Sequence, residues 1–378
     1  MTIFKPLAAD DRVSTKTLLH EAIPITGTIV SGTYGDFTHE RNIQNFTHGM
    51  FQSVYDYPYL SSSANHIFDI TFGTSPLGLT TTSQTAKKDN VYNQMAQVLS
   101  GYDKDGNIQS FDEDGNITAG GTKIDNATFL SFSRLLSKDE IKKGSFELEL
   151  GVSSSFSDNT FKTRVKIVDY NAQNSYKVNS PAGEYGILYA TGSAGGDNIL
   201  DRDSEHKITG SDGNFYWNAG LIYYQAGVAV LTSSFFMNTI NGGYLVEGGV
   251  LDFDGSGTAL PGTGVSFTGS LISQEISASA NFLRHRMYNL QFNNTIELNS
   301  TVYFCRTKHN EFNYSSNPTY LSGSQLRVKN ESTDIPISYI TSIGLYSADN
   351  QLLAVGKFSE PIRKDSNIEL TFRARLDY

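Results

Sequence analysis

Two acidic stretches are the first residues whose types and spacing could do chemistry. Tyr102-Asp103-Lys104-Asp105-Gly106-Asn107-Ile108 is echoed nine residues later by Phe111-Asp112-Glu113-Asp114-Gly115-Asn116-Ile117. Asp252-Phe253-Asp254-Gly255 and Ser211-Asp212-Gly213-Asn214 are looser relatives. Alternating aspartates offer hard oxygens to calcium. The spacing opposes that use: an EF-hand loop needs glycine at its sixth position and glutamate at its twelfth. Ile108 and Ile117 hold the sixth positions, and Asp114 and Lys123 the twelfth. Asp-Gly between alternating residues is a strong hairpin signal, so turns are favoured over a cation site.

Other chemistry finds less support. The seven histidines are His20, His39, His48, His66, His206, His285 and His309, and none has a histidine two, three or four residues on. With Cys-X-X-Cys also missing, a zinc site would need ligands gathered from far apart. Ser-His-Asp triads are spatial and escape counting, but Gly192-Ser193-Ala194-Gly195-Gly196 and Gly255-Ser256-Gly257 are not nucleophile elbows. No phosphate-binding or dinucleotide glycine pattern is present. With 39 acidic residues, no single carboxylate pair is informative. A glycosidase needs two carboxylates across a cleft, and aromatic lining for it would have to draw on a single tryptophan, Trp217. The sequence therefore nominates no catalytic residue, no cofactor and no metal.

Tyrosines are the remaining candidates. Tyr55, Tyr57, Tyr59, Tyr314 and Tyr320 stand in polar, turn-rich surroundings, and Tyr223 and Tyr224 adjoin each other. Tyrosine is enriched at protein interfaces because an apolar body carries a polar tip; ordinary β core and rim is the plainer reading. The first five are the interface candidates.

The elements that must position these residues follow from hydrophobic period. Residues 67–72 alternate as a strand, and 26–30 form a shorter candidate. Pro58 makes the aromatic stretch 50–60 irregular. Val91, Met95, Val98 and Leu99 share one helical face, stopped by Gly101. Ser137-Lys138-Asp139-Glu140 has the form of a capping box and predicts a short helix ending at Gly144. From Phe146 the period is two: 146–151, 165–167, 185–189 and 219–231, the last with a turn near Gln225, read as a β-meander. Residues 256–269 read as a loop. Ile272, Ile276, Ala280, Leu283 and Met287 predict a third helix, followed by paired strands over 290–298 and 301–306. Strands are expected at 339–346, 351–358 and 368–378, with a turn at Ala348-Asp349-Asn350. A strand running to the last residue predicts a C-terminus that is tied down. The expected fold is a β-rich α+β protein, with antiparallel sheets in β-sandwich-like domains and about three short helices. The domains expected are 1–145 (mixed α+β), 146–270 (β-meander) and 271–378 (helix plus antiparallel β).

Composition agrees. The 378 residues include 23 Phe and 21 Tyr, 12% aromatic, which is a folding rather than a disordered composition. The net charge is −10 and the basic residues are scattered, which disfavours nucleic acid and anionic membranes as partners. No run of 18 apolar residues occurs, so no membrane-spanning helix is expected. Residues 1–13 lack the pattern of a signal peptide. The one cysteine, Cys305, excludes an intrachain disulfide and reads as a small core residue on a buried strand.

Several stretches resemble virion structural proteins of contractile-tailed bacteriophages, of the cyanobacterial and marine myovirus type. They are Leu18-Leu19-His20-Glu21-Ala22-Ile23-Pro24-Ile25-Thr26-Gly27-Thr28, Met50-Phe51-Gln52-Ser53-Val54-Tyr55-Asp56-Tyr57-Pro58-Tyr59-Leu60 and Phe312-Asn313-Tyr314-Ser315-Ser316-Asn317-Pro318-Thr319-Tyr320. The run 340–346 followed by 352–357 is also similar to attachment modules of tail-fibre and baseplate proteins. Residues 67–73 resemble baseplate wedge subunits. The resemblance implies a non-enzymatic structural subunit of the virion, placed in the tail baseplate and assembled in the host bacterial cytoplasm. It would act through contacts with other tail proteins as a homo- or hetero-oligomer. The alternatives it leaves are a receptor- or carbohydrate-binding tail protein, with an aromatic cleft around Trp217, and a neck or capsid component.

Overall fold

The computed structural model describes residues 4–25, 41–75, 83–115, 121–136, 139–151, 164–193, 207–233, 275–315, 321–322, 325–326, 333 and 335–378. The chain is β-rich, and its strands are β1 (Arg12–Pro24), β2 (Ile43–Asn45), β3 (Gln52–Tyr55), β4 (His66–Thr74), β5 (Asn126–Ser131), β6 (Asp139–Ile141), β7 (Glu147–Gly151), β8 (Arg164–Val168), β9 (Lys177–Ser180), β10 (Gly183–Ser193), β11 (Lys207–Thr209), β12 (Phe215–Tyr223), β13 (Val228–Thr232), β14 (Met287–Thr307), β15 (Leu321–Ser322), β16 (Gln325–Leu326), β17 (Ile337–Tyr346), β18 (Leu352–Asp365) and β19 (Leu370–Asp377). Two helices exceed one turn among the described residues, α1 (Ser83–Leu99) and α2 (Ile276–Arg286). A single turn spans Ala172–Ser175.

The chain divides into two units, His20–Ile296 and Met1–Leu19 with Glu297–Tyr378. The division into 1–145, 146–270 and 271–378 expected from sequence does not follow these bounds. β5 pairs with β13 across the first expected boundary, and β7 pairs with β14 across the second. A change of hydrophobic period marks a change of element type; it carries no information on which strands pair.

The larger unit is one antiparallel sheet in the order β14-β7-β8-β10-β12-β13-β5-β4-β3-β2. Its central strands are buried on both faces, as β13 is at all five positions. Side chains alternate between two apolar clusters. Leu130, Ile222, Ala229 and Leu231 enter one, with Phe146, Leu148 and Leu290. Phe129, Leu221, Val228 and Val230 enter the other, which α1 covers with Val91, Tyr92, Ala96 and Leu99. The helix expected at 91–99 is therefore present and longer, with Gly101 beyond its end in the left-handed region. Val98, assigned to its buried face, points to solvent, and Tyr92 and Ala96 take that role. Gly73 allows the close approach: a Cβ there would lie 2.8 Å from the Tyr92 backbone nitrogen.

Three expectations are corrected. The helix from Ser137 is replaced over its described part by β6, whose Asp139–Ile141 pairs with Ile296–Asn294 of β14. Asn294 Nδ2 donates to Asp139 Oδ2 at 3.0 Å, so long-range pairing overrides the local cap. The paired strands expected at 290–298 and 301–306 are one continuous strand, β14. Its polar Asn299-Ser300 centre is not a turn: Ser300 is buried and accepts from Arg375 Nε, while Asn299 exchanges both backbone hydrogen bonds with Tyr378. The third helix covers Ile276–Arg286, Met287 opens β14, and Ile272 lies outside the described residues. The strand at 26–30 and the loop at 256–269 also lie outside them.

In the smaller unit, β19 pairs with β14 over eight positions, and β17 pairs with β18 in a separate two-stranded sheet. Asn350 turns between β17 and β18 with φ 61°, where the sequence placed the turn. The C-terminal strand alternates half-buried and exposed residues, as its period predicts. Cys305 is half-buried on β14, less deeply than expected; desolvation, with Asp11 adding to it, pushes its thiol up.

Candidate interaction surface

The Asp-Gly stretches are turns whose carboxylates are already engaged. Asp103 Oδ1 accepts from the Asp105 and Asn107 backbone nitrogens, each at 2.8 Å, and Asp103 Oδ2 accepts from Asn107 Nδ2. Gly106 takes the left-handed turn position, φ 85°. Asp212 is held likewise by Asn214 N and Nδ2, and it also accepts from the Tyr216 hydroxyl. Asp112 is ion-paired to Lys123 and accepts from Asp114 N. In each case the aspartate closes its own turn. The stretch at 252–255 is outside the described residues.

Ser53, His66 and Asp69 meet in the larger unit. Ser53 Oγ donates to Asp69 Oδ1 at 2.5 Å, and His66 Nε2 lies 2.6 Å from that same oxygen. Nucleophilic catalysis needs the histidine between serine and carboxylate. Here the carboxylate is in the middle, so the imidazole does not face the serine hydroxyl, and Ser53 is itself buried.

Asp169 is the carboxylate most affected by its surroundings. Desolvation by burial raises it to about 7, against hydrogen bonds that lower it. Its oxygens accept from Gly144 N at 2.6 Å, Phe146 N at 3.0 Å and the Tyr224 hydroxyl at 3.3 Å. It clamps the turn that enters β7. A polar cleft of about 360 Å³ adjoins this turn, lined among others by Lys142, Gly144, Ser145, Gln173 and Asn293. Lys143, at its wall, is held at 2.5 Å by Glu184 and lies over the Tyr176 and Tyr224 rings. The arrangement braces a turn.

Trp217, where the receptor-binding alternative would place an aromatic cleft, is 5% exposed and belongs to the apolar cluster of the larger unit.

The tyrosine candidates separate. In the larger unit Tyr55 ends β3, half-buried, donating to Gln44 Oε1 at 2.7 Å, with its ring against Tyr59 and edge-on to His66. The stretch 50–60, expected to be irregular, is strand over Gln52–Tyr55 and turn beyond it. Asp56 there accepts from Tyr57 N, Asn65 N and Asn65 Nδ2. This ordered turn presents Tyr57, Tyr59 and Leu60 to solvent. In the smaller unit Tyr314 is 61% exposed in the turn after β14. Tyr320 lies outside the described residues.

A further group of exposed apolar residues lies outside the five tyrosine candidates. In the β17–β18 ribbon, Leu352 is 54% exposed, Leu353 67% and Val355 60%, and Tyr346 lies beside them. Tyr346 pairs across the ribbon with Leu352, and Gly344 with Val355, while Leu353 falls in a register irregularity. Gly344 gives the Tyr346 ring room: a Cβ there would meet Tyr346 at 2.9 Å and Leu352 at 3.4 Å. Phe4 packs edge-on against Tyr346 with ring centroids 4.6 Å apart. The base of the ribbon is anchored. Buried Lys364 donates from Nζ to Asn313 Oδ1 at 2.7 Å and to the His309 and Asp365 carbonyls, and Ser338 donates to the Phe312 carbonyl. The sequence signal was Leu352-Leu353-Ala354-Val355 itself: four successive apolar residues on a strand make both faces apolar.

These features define a β-rich α+β protein with antiparallel sheets and an anchored, apolar ribbon. No protein-family model matches the chain, and neither a curated protein nor a solved structure matches it.

Proposed function

We propose that this chain is a non-enzymatic structural subunit of a tailed-phage virion, placed in the tail baseplate and acting through contacts with neighbouring tail proteins. The phage assignment rests on the sequence resemblance. The docking role rests on one observation, the exposed Tyr346, Leu352, Leu353 and Val355 on a ribbon anchored at its base. Scattered exposed apolar residues are normal, whereas a contiguous group marks an interaction site. A two-stranded ribbon alone is marginally stable in water, which favours a neighbour laid over it.

The test is to assemble particles carrying Leu352→Ser, Leu353→Ser and Val355→Ser together. The expected result is unchanged thermal unfolding of the purified chain, with loss of the chain from purified particles by mass spectrometry. Full incorporation of the substituted chain, or absence of the natural chain from purified particles, overturns the proposal. A particle map with the chain at a fibre tip would move the reading to receptor binding.

A further inference from the structure

The cleft beside the Asp169 turn combines a fixed wall with polar groups that have no partner. The wall is the turn 142–145. Asp169 holds it at Gly144 N, and Ser145 Oγ donates to the Lys142 carbonyl at 2.6 Å and accepts from Asn293 N at 3.0 Å. Four side chains of the lining are left over. Among the described residues, Lys142 Nζ and the carboxamides of Gln173, Gln291 and Asn293 make no hydrogen bond or ion pair within the chain. Gln291 and Asn293 stand two apart on β14 and so share one of its faces. Among the described residues no carboxylate lines the cleft. The nearby ones are engaged: Glu184 with Lys143, and Glu147, opposite Gln291, with Lys166 at 2.7 Å. A concavity in which a few unpaired polar groups converge is the usual form of a small-molecule site.

We infer that this cleft binds a hydroxylated organic anion of one sugar ring, a uronic acid by chemical class, with Lys142 on its carboxylate and the three carboxamides on its hydroxyls. The polar groups select this class. An ammonium without a counter-ion attracts an anion, and its charge-assisted hydrogen bonds are roughly twice as strong as neutral ones. A carboxamide offers N–H donors and a carbonyl acceptor, which suits a hydroxyl that both donates and accepts. A simple carboxylate would leave the amide oxygens unmatched, and a neutral sugar would leave Lys142 unmatched. The volume of about 360 Å³ stands at the small end of ligand sites, which run from roughly 300 to 1,000 Å³, and so limits the ligand to a single ring. The backbone carrying Lys142 is already fixed by Ser145 and the Asp169 clamp, so binding orders side chains alone. The chain as a whole carries −10, so its general field repels an anion and only local groups can hold one. The cleft lies in the larger unit and the ribbon in the smaller, so binding here stands if docking there fails.

The experiment is a ligand-observed NMR titration of the purified full chain with galacturonic and glucuronic acids, with galactose and glucose, and with acetate. One of the uronic acids should bind saturably, with a dissociation constant on the order of 1 mM. Its neutral sugar and acetate, each lacking one half of the match, should bind at least about tenfold more weakly. Lys142→Met should bring the uronic acid down to the level of the neutral sugar. Gln173→Ala, at an exposed position that folding does not need, should weaken the uronic acid and its neutral sugar alike. Lys104→Met removes the same charge from an exposed site outside the cleft and should change nothing. The inference is overturned if neither uronic acid binds saturably up to roughly 30 mM, or if Lys142→Met or Gln173→Ala binds in full. Acetate or the neutral sugar binding as tightly as the uronic acid also overturns it. So does a loss with Lys104→Met equal to that with Lys142→Met, since net charge alone would then account for the binding.

Discussion

The hairpin of β12 and β13 and the hairpin of β17 and β18 start from the same local chemistry. Both are antiparallel, both are rich in aliphatic and aromatic residues, and both turn tightly, the first through residues 224–227 and the second through residues 347–351. The first is buried at nearly every position, and the second is exposed at about half. What separates them is the number of neighbours. β12 and β13 have strands on both sides and an apolar cluster on each face. Among the described residues the ribbon has no third strand beside it and joins neither cluster. Hydrophobic residues thus stabilise the first hairpin by being covered within the chain, whereas in the second they leave area for a partner to cover.

The comparison breaks most sharply at Gly220, where the register of β10 and β12 slips and φ is 153°. A Cβ there would lie 1.9 Å from the Val230 carbonyl oxygen. Gly220→Ala should cost more than about 4 kcal/mol or prevent folding. Gly356, on the ribbon, has open space around it, and Gly356→Ala should be tolerated. Urea titration of the two variants checks this, and similar costs would remove the distinction.

Asp169 gives the next effect. Asp169→Ala leaves the Gly144 and Phe146 N–H groups without their acceptor, at about 1–3 kcal/mol each. The pH dependence has a definite sign. The folded carboxyl, raised by desolvation to about 7, holds its proton more tightly than an ordinary aspartate near 3.8. Its contribution therefore favours the folded state below pH 3.8 and is lost as pH rises through about 7. Unfolding free energies measured at pH 5 and pH 8 should show the natural chain losing stability relative to Asp169→Asn as the pH rises. Parallel curves would mean that the carboxyl stays ionised when buried.

The smallest contrast uses one substitution in two places. Val230→Ala, in the core, should cost about 2 kcal/mol through lost burial and a residual cavity. Val355→Ala should stay within about 0.5 kcal/mol. Equal costs would mean that the ribbon face is already covered in the isolated chain.

Much of this architecture was legible in sequence. The β-rich class, α1 with its stop at Gly101, β4, β8, the β12–β13 turn, the Asn350 turn and the tethered C-terminus all follow from local period and turn chemistry, which act between residues close in the chain. The misread elements have one cause. β6 carried a helix signature and became a strand because β14 offered it hydrogen-bond partners more than 150 residues away. The polar Asn299-Ser300 resembled a turn because the sequence did not reveal that Arg375 and Tyr378 would meet it. Of the interface candidates, Tyr57, Tyr59 and Tyr314 are exposed and Tyr55 is half-buried. The ribbon stood out in sequence only through the resemblance of 340–346 and 352–357 to attachment modules, and its exposed apolar side chains were not named.

By itself the sequence determined which segments extend and where they turn, since these are properties of residue type and period. Only the tertiary structure decided which apolar strands found a cover. Burial depends on how many neighbours the fold supplies to each face. That is why Trp217 disappears into a core while Leu352, Leu353 and Val355, no more polar, remain in water.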